Sequence, residues 1–316
     1  FQLVQTVLIS GASGFIGSRL AEYFRSQGRR VGRLLRTSLG SRAAAAPETV
    51  NWDPEAGWVD QSALAKGAPD VVINLAGEPI AHRWTADRRR RIRESRVRGT
   101  QALAEAVASL EQKPSILLSG SAIGYYGANR GDERLEEASG VGSDFLALLA
   151  RDWEQATEPA SAAGVPVATL RTGLVLSGGG GVLQRMLLPF QVGVGGRLGD
   201  GRQWMSCIAL DDYVRAVQFI IDSPSLRGPV NLVAPEPVRN DEFTQVLARV
   251  LARPAVLPMP RAALGLLFGE MADATILASQ RVVPKRLAGA GFEFRHPRLE
   301  DALRFELRRS SAPTGR

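Results

Sequence analysis

The sequence contains little cysteine, histidine or lysine, and the first two shortages each exclude a class of site. Among its 316 residues Cys207 is the single cysteine, so neither a disulfide within the chain nor a cysteine cage for a metal can form. The two histidines, His82 and His296, belong to different predicted lobes, which argues against a histidine metal site or triad. We therefore predict a protein without a metal, and the lone thiol fits a reducing cytoplasm.

Long apolar runs are also missing. No stretch of about 18 uncharged apolar residues occurs, and the first residues lack the basic, apolar and small-residue order of a signal peptide. We therefore expect a soluble, cytoplasmic protein with no membrane partner. Its length and its hydrophobic content of 45% suffice for one large α/β domain and a smaller lobe.

Lysine supplies only three of the 39 basic residues, so arginine accounts for most of the basic charge behind the formal net charge of +7. The densest cluster is RRRRIRESRVR, from Arg88 to Arg98, where Ile92, Arg96 and Thr100 follow helical spacing. We interpret its charged side as a solvated helix face. Because no aromatic residues alternate with these arginines, no nucleic-acid partner is predicted.

Strand-like and helix-like segments alternate over the first half of the chain. Residues 6–10 predict a strand, 15–27 a helix and 30–35 a second strand, and later strand-like runs begin at Asp70 and Ser115. Such alternation is typical of an α/β fold with a doubly wound parallel sheet of the Rossmann type.

The alternation ends after VPVATLRTGLVL, which predicts one more strand from Val165. We predict that residues 1–176 form the Rossmann domain and that about 205–235 complete it. A smaller, mostly helical C-terminal lobe would contain 177–204 and 236–310, and 311–316 would be a disordered tail.

The stretch VLISGASGFIGSRL places Gly11, Gly14 and Gly17 between the first predicted strand and helix. Gly11 permits a tight turn, Gly14 lets a pyrophosphate approach the backbone, and Gly17 lets the helix pack closely on the strand. The first turn of the helix then offers N–H groups and the positive end of the helix dipole to phosphates. This context predicts a dinucleotide site, and the alternative is an ordinary strand-to-helix turn.

The end of the second predicted strand distinguishes between the two dinucleotides. An acidic residue there would bind the ribose 2′-hydroxyl of NAD. Instead, RLLRTSLGSR places Arg36 at the strand end, with Arg33, Ser38 and Arg42 nearby. Because a guanidinium group suits a phosphate, NADP(H) is the predicted cofactor. The alternative is that Arg36 is an ordinary surface residue of an arginine-rich chain.

Several further motifs follow in a fixed order along the chain. INLAG from Ile73, SGSAIGYYG from Ser119, RTGLVL from Arg171 and DDYVRAV from Asp211 resemble, with GASGFIG, the extended short-chain dehydrogenase/reductase superfamily and its nucleotide-sugar epimerase branch. The stretches RWT, SRVRGT, GDGRQWMS and QRVVPKRLAGAGFEF are similar to an epimerase-like family of unknown substrate within it.

The resemblance implies which residues bind the cofactor. Ser119 and Ser121 would face the nicotinamide, and the backbone around Val175 would close over it. Arg96 would reach the cofactor from the following helix. The remaining implied residues are Gly11, Ser13, Gly14, Phe15, Ile16 and Gly17 at the pyrophosphate, Arg36 at the 2′-phosphate, and Leu75 and Ala76 on the adenosine side.

The chain departs from the superfamily pattern at the catalytic pair. In that superfamily a tyrosine and a lysine four residues later share a helix face, and the lysine lowers the tyrosine pKa so that the phenol can transfer a proton. Here the equivalent stretch is SDFLALLARDWEQA, and alignment on Glu154 puts Leu146 and Ala150 at the two positions. None of the four tyrosines has a lysine four residues later.

Ser121, Tyr125 and Tyr126 are therefore the candidate catalytic residues, because they follow a predicted strand where open sheets bind their ligands. The alternatives are an aromatic pair that walls the pocket and a serine that caps backbone. Two functions remain. One is an NADP(H)-dependent oxidoreductase or epimerase acting on an unidentified small molecule, and the other is an NADP(H)-binding regulator or scaffold without turnover. A homodimer is left open.

Overall fold

The larger domain is built around an eight-stranded sheet. The structure is a computed structural model that describes residues 5–37 and 48–311, with backbone only for 309–311. The strands of the chain are β1 (Thr6–Ser10), β2 (Arg30–Arg36), β3 (Thr49–Asp53), β4 (Trp58–Val59), β5 (Val71–Asn74), β6 (Ile116–Ala122), β7 (Asn129–Leu135), β8 (Val167–Thr172), β9 (Leu174–Leu176), β10 (Trp204–Met205), β11 (Cys207–Ala209), β12 (Gly228–Leu232), β13 (Val238–Arg239) and β14 (Ser279–Val282). The order in the large sheet is β12-β8-β6-β5-β1-β2-β3-β4.

Helices connect and cover these strands. They are α1 (Phe15–Ser26), α2 (Gln61–Gly67), α3 (Ala86–Ala108), α4 (Phe145–Gln155), α5 (Glu158–Ala162), α6 (Gly181–Gln191), α7 (Leu210–Asp222), α8 (Asn240–Leu251), α9 (Arg261–Phe268), α10 (Lys285–Gly289) and α11 (Leu299–Ser311). A 3₁₀ turn spans Ile123–Tyr126 and a π-helical turn spans Ala272–Ile276.

The sheet is parallel except for its edge pair, β3 with β4, and apolar layers cover both of its faces. Helices α1 and α7 cover one face, where Phe24 and Ile220 are fully buried. On the other face α2, α3 and α5 contribute buried residues such as Leu64 and Leu103. Burial on both faces explains why the first residues of the central strands β5 and β6 are apolar, and both strands are almost entirely buried. The predicted doubly wound α/β fold is confirmed.

Strand β1 is the point where the winding direction of the chain reverses. It pairs in parallel with β2 on one side and with β5 on the other. Connections from these strands leave on opposite sides of the sheet, so a crevice opens at their carboxyl ends, where ligands of such sheets bind.

The strand predicted from Val165 is divided at Gly173. A Cβ atom at this position would lie 2.5 Å from the carbonyl oxygen of Ser206, and the chain bends here. Strand β8 belongs to the large sheet, whereas β9 pairs with β11 in a separate two-stranded sheet. The sequence pattern shows two apolar runs but not the different partners of each.

The C-terminal lobe is mostly helical, as predicted. Helices α6, α8 and α11 share a core that includes Leu183, Phe243 and Leu303. Helix α11 continues through Ser311, which the sequence analysis placed in the disordered tail, whereas 312–316 lie outside the described residues. Strand β14 pairs in parallel with β7, which connects this lobe to the larger domain. Among the described residues no helix is long and apolar enough to cross a membrane.

Candidate cofactor site and active site

The glycine-rich turn between β1 and α1 is closely packed against the backbone. Gly11 has a φ of 70°, which favours glycine, and its carbonyl accepts a hydrogen bond from the N–H of Gly14. A Cβ atom at Gly17 would lie 2.1 Å from the carbonyl oxygen of Gly11. Helix α1 begins at Phe15 and has no acidic residue in its first turn. The turn therefore presents free backbone and the positive helix end to a ligand.

A cleft of about 490 Å³ opens beside this turn. Its predicted lining residues are Gly11, Gly14, Phe15, Ile16, Gly17, Leu75, Arg96 and Ser121. The structure adds Ile80, Gly120, Ala122, Gly124, Leu146, Leu149, Ala150, Trp153, Thr172, Gly173 and Tyr213. Two motifs that are far apart in the chain, GASGFIG and SGSAIGYYG, thus meet in one cavity.

Arg96 is the one charged side chain among the described residues that line the cleft. Its Nη1 donates to the carbonyl oxygens of Glu78 and Ile92, at 2.9 and 3.2 Å, and its guanidinium lies 5.1 Å from the centre of the Trp153 ring. Within the described chain it forms no salt bridge. Burial lowers the pKa of Arg96 to about 10, although Glu78 acts in the opposite direction. The lining of the cleft thus contains a buried cation that could bind an anionic group of a ligand.

Arg36 lies at the end of β2, as predicted, but it already has a partner. Its guanidinium pairs with the carboxylate of Glu55, which follows β3, and both side chains are more than half exposed. The sequence shows no acidic residue at the end of the second strand, but the neighbouring strand brings one there. Ser38 and Arg42, the other predicted neighbours, lie outside the described residues.

Four other predicted cofactor residues do not line the cleft. Ser13 is exposed in the glycine-rich turn, and Ala76 packs against the core on one face of the sheet. Ser119 is fully buried, and Val175 is in the core of the other face.

The register of the sheet explains why Ser121 reaches the cleft and Ser119 does not. Asn74, the last residue of β5, lies opposite Ser119. Ser121 is two residues beyond that point, where β5 has ended and no longer pairs with β6.

Helix α4 forms an apolar wall of the cleft. Leu146 and Ala150, the residues aligned with the missing tyrosine and lysine, both line it. Leu149 and Trp153 lie beside them, and the Trp153 indole N–H donates to Thr100 at 2.9 Å. This helix face therefore lines the cleft, and it has no proton donor or cation at the two aligned positions.

Ser121 is bound to a buried ion pair behind this wall. Its hydroxyl donates to Oε1 of Glu154 at 2.7 Å. Arg171 binds the same carboxylate through Nε and Nη2, at 2.8 and 2.9 Å. The side chain of Arg171 is 3% exposed and that of Glu154 is 14% exposed. Although burial alone would lower the pKa of Arg171, its bonds to Glu154 raise it, so the cation is permanent.

Tyr125 and Tyr126 lie against the same arginine instead of lining the cleft. Tyr126 is fully buried, donates to Oδ1 of Asn231 at 2.7 Å and accepts from Nη1 of Arg171 at 3.1 Å. Burial raises the pKa of Tyr126 to about 12. The Arg171 guanidinium lies 3.5 Å from the centre of the Tyr125 ring. Both rings therefore pack against Arg171, and neither walls the cleft as the alternative from the sequence had it.

Sequence reasoning missed Glu154, Arg171 and Tyr213 as members of the site. Glu154 was available as a signal, because it continues the i, i+4 series of Leu146 and Ala150 along one helix face. No spacing pattern links Tyr213 to the cleft, where its hydroxyl lies 3.3 Å from that of Thr172, 41 residues away. Burial raises the pKa of Tyr213 to about 12, so this phenol stays protonated.

Comparison with known protein families gives two matches. Residues 7–232 match the NAD dependent epimerase/dehydratase family, and residues 259–306 match a domain of unknown function, DUF1731. An epimerase family protein of Mycobacterium bovis is 44% identical over 304 residues, covering 96% of this chain and 98% of that protein. A chloroplastic epimerase family protein SDR39U1 homologue of Arabidopsis thaliana is 38% identical over 95% of this chain and 86% of that protein.

Solved structures show the same architecture. The crystal structure of human epimerase family protein SDR39U1 with NADPH is 29% identical, with a TM-score of 0.85 over 96% of this chain and 99% of that chain. A UDP-glucose 4-epimerase of Thermus thermophilus in complex with NAD is 20% identical and has a TM-score of 0.74 over 98% and 100% of the two chains, which shows a shared fold. The chain belongs to the NAD-dependent epimerase/dehydratase family, which places it in the extended short-chain dehydrogenase/reductase superfamily predicted from its motifs.

Proposed function

We propose that this protein is an NADP(H)-dependent oxidoreductase or epimerase that acts on a small molecule in the cleft. The observation that supports this most is the glycine-rich turn, because a Cβ at Gly17 would clash with the backbone of Gly11 and the first turn of α1 carries no acidic group. That geometry fits the pyrophosphate of a dinucleotide. The human relative of known structure has NADPH bound, which supports the phosphorylated form.

Two arginines, Arg96 and Arg36, would each bind a different phosphate group of the cofactor. Arg96 would face the pyrophosphate with the guanidinium nitrogens that its backbone contacts leave free. Arg36 would bind the 2′-phosphate, in competition with Glu55. When bound, NADP(H) supplies or accepts a hydride.

Ser121 would contact the reacting oxygen of the substrate. Its hydroxyl hydrogen points to Glu154, so its oxygen can accept a hydrogen bond from a substrate hydroxyl. During oxidation the substrate proton would move to the Ser121 oxygen as the serine proton moves to Glu154. In reduction Glu154 would first take up a proton from solvent, and both transfers would then run in reverse. Arg171 fixes the carboxylate. Tyr125 and Tyr126 enter this mechanism as supports of Arg171.

A second candidate function is cofactor binding without turnover. The observation that favours it is the apolar character of Leu146 and Ala150, which line the cleft at the positions where the superfamily has its tyrosine and lysine. A regulator or scaffold of this kind would bind NADPH as tightly but would not depend on Ser121.

Calorimetry and turnover together test the two functions. We expect NADPH to bind more tightly than NADH, and the protein to oxidise NADPH with at least one member of a panel of carbonyl compounds and sugar nucleotides. Ser121→Ala should abolish most of that oxidation and keep NADPH binding, whereas Ser115→Ala, at the opposite end of β6, should change neither. NADPH binding without turnover on the whole panel supports the second function. Failure to bind either dinucleotide refutes both.

A further inference from the structure

Most of the side chains that line the cleft are apolar. The hydroxyl residues of the lining are Ser121, Thr172 and Tyr213, and the apolar wall consists of Ile80, Ala122, Leu146, Leu149, Ala150 and Trp153. No carboxylate and no lysine is among the described lining residues, and the one charged group is Arg96. Hydroxyl groups of a sugar would face hydrocarbon over most of this surface and lose their hydrogen bonds to water.

Further apolar residues surround the cleft, both next to helix α4 and on the opposite side of the cleft. Trp84 donates its indole N–H to the carbonyl oxygen of Ile80 at 3.0 Å, and its ring meets that of Phe145 edge to face at 5.3 Å. On the other side of the cleft, the ring of Phe15 is so close to Gly180 that a Cβ there would lie 2.4 Å from it. Helix α6 starts at that point, and its Val182 is 47% exposed.

A nucleotide-sugar substrate would also need cations for its diphosphate. Four arginines around the α4 end of the cleft already bind carboxylates. The pairs are Arg88 with Glu78 at 3.1 Å, Arg89 with Glu270, Arg93 with Asp152 at 2.5 Å and Arg171 with Glu154 at 2.8 Å. The remaining cation of the lining, Arg96, is the one that the cofactor pyrophosphate would use. Among the described residues that line the cleft, a second diphosphate would therefore find no guanidinium other than the one that the cofactor uses.

We propose that the substrate is a small, uncharged, predominantly apolar carbonyl compound or the corresponding alcohol, and not a nucleotide sugar. This inference rests on the proposed function, because it concerns the same cleft with NADP(H) in place. The carbonyl or hydroxyl oxygen would lie at Ser121, and the hydrocarbon part would pack on Leu146, Leu149 and Ile80. The area of apolar wall, and not a set of polar contacts, would set the affinity.

The test compares two probes on the full chain saturated with NADP⁺, by saturation-transfer NMR with titration. Acetophenone is the apolar ketone and UDP-glucose is the nucleotide sugar. We expect acetophenone to bind and UDP-glucose not to bind. Leu146→Asp places a charge on the apolar wall and should weaken acetophenone binding roughly tenfold or more. Leu148→Asp is the matched control, because Leu148 is on the same helix, is 38% exposed and does not line the cleft.

The outcomes separate this inference from the proposed function. Binding of UDP-glucose, or failure of acetophenone to bind to the NADP⁺-saturated protein, overturns the inference and leaves the proposed function standing. Equal acetophenone binding by the Leu146→Asp and Leu148→Asp variants also overturns it. If NADP⁺ itself does not bind to the unmodified chain, the proposed function fails, and the inference fails with it. Retained NADP⁺ binding shows that each variant is folded.

Discussion

Replacement of Arg36 should remove the proposed preference for NADPH over NADH. Its guanidinium is paired with Glu55, and its side chain is 58% exposed. A hydrogen bond to a charged group contributes about 1.5–3 kcal/mol, and screening at an exposed site reduces this to about 1–2 kcal/mol. Arg36→Ala should therefore weaken NADPH binding roughly 5- to 30-fold. NADH has no 2′-phosphate, so its affinity should stay the same.

Glu55 sharpens this prediction because it competes with the phosphate for the same guanidinium. Glu55→Gln removes the competing charge and should strengthen NADPH binding roughly two- to fivefold. NADH should gain nothing, and should bind more weakly if the Glu55 carboxylate accepts a hydrogen bond from its 2′-hydroxyl. In the Arg36→Ala background the Glu55 substitution should still strengthen NADPH binding, because the unpaired carboxylate then repels the 2′-phosphate directly.

Isothermal titration calorimetry with both cofactors, at low and at high salt, measures these effects. The NADPH preference should narrow at high salt, because the site is exposed and its charges are screened. Arg30→Ala is the control, since Arg30 is an exposed arginine at the opposite end of β2. An unchanged ratio of NADPH to NADH affinity in Arg36→Ala would show that another group reads the phosphate.

Three other substitutions test the packing and electrostatics of the site. Gly17→Ala should abolish NADPH binding in calorimetry, because its Cβ would lie 2.1 Å from a carbonyl oxygen. Gly67→Ala is the control, since a Cβ there would meet nothing within 4 Å, and NADPH binding should stay intact. Similar binding by both variants would contradict the role of the glycine-rich turn. Arg171→Met should lower the free energy of unfolding, measured in urea, by about 3 kcal/mol, because it leaves the Glu154 carboxylate without a counter-ion. Adding Glu154→Leu should restore part of the lost stability. A loss below about 1 kcal/mol for Arg171→Met would refute the importance of this ion pair. Burial lowers the pKa of Arg96 to about 10, so NADPH affinity should fall as the pH rises through about 10. Loss of the proton also relieves the cost that burying this cation adds to the free energy of folding. Arg96→Gln should remove the pH dependence of NADPH binding.

The sequence contained the features of the fold that depend on local pattern. Alternating apolar strands and helices predict the parallel sheet, and the spacing of Gly11, Gly14 and Gly17 predicts the turn, because both are properties of neighbouring residues. Arg36 was placed correctly at its strand end. Its partner Glu55 was not found, because it lies in the turn after β3, and the pairing that brings this turn beside β2 is set by the tertiary fold.

The polar groups of the site were less predictable, because they depend on contacts between distant segments. Ser119 and Ser121 have the same side-chain direction in the strand pattern and both are buried, yet only Ser121, which lies past the end of β5, lines the cleft. The Tyr126 hydroxyl points inward because Asn231, 105 residues later, and Arg171 bind it. No local signal encodes such a pairing.

The pairing of β14 with β7 has a consequence for how the chain is divided. Residues 259–306 match a family model of their own, yet within them β14 is held by a strand of the larger domain, and Leu287 and Phe292 are part of its principal core. The side chain of Asn231, in β12, donates to the carbonyl oxygen of Val283 at 3.0 Å. This segment is therefore not an autonomous module, and a truncation before residue 259 would remove part of the interior of the nucleotide-binding half.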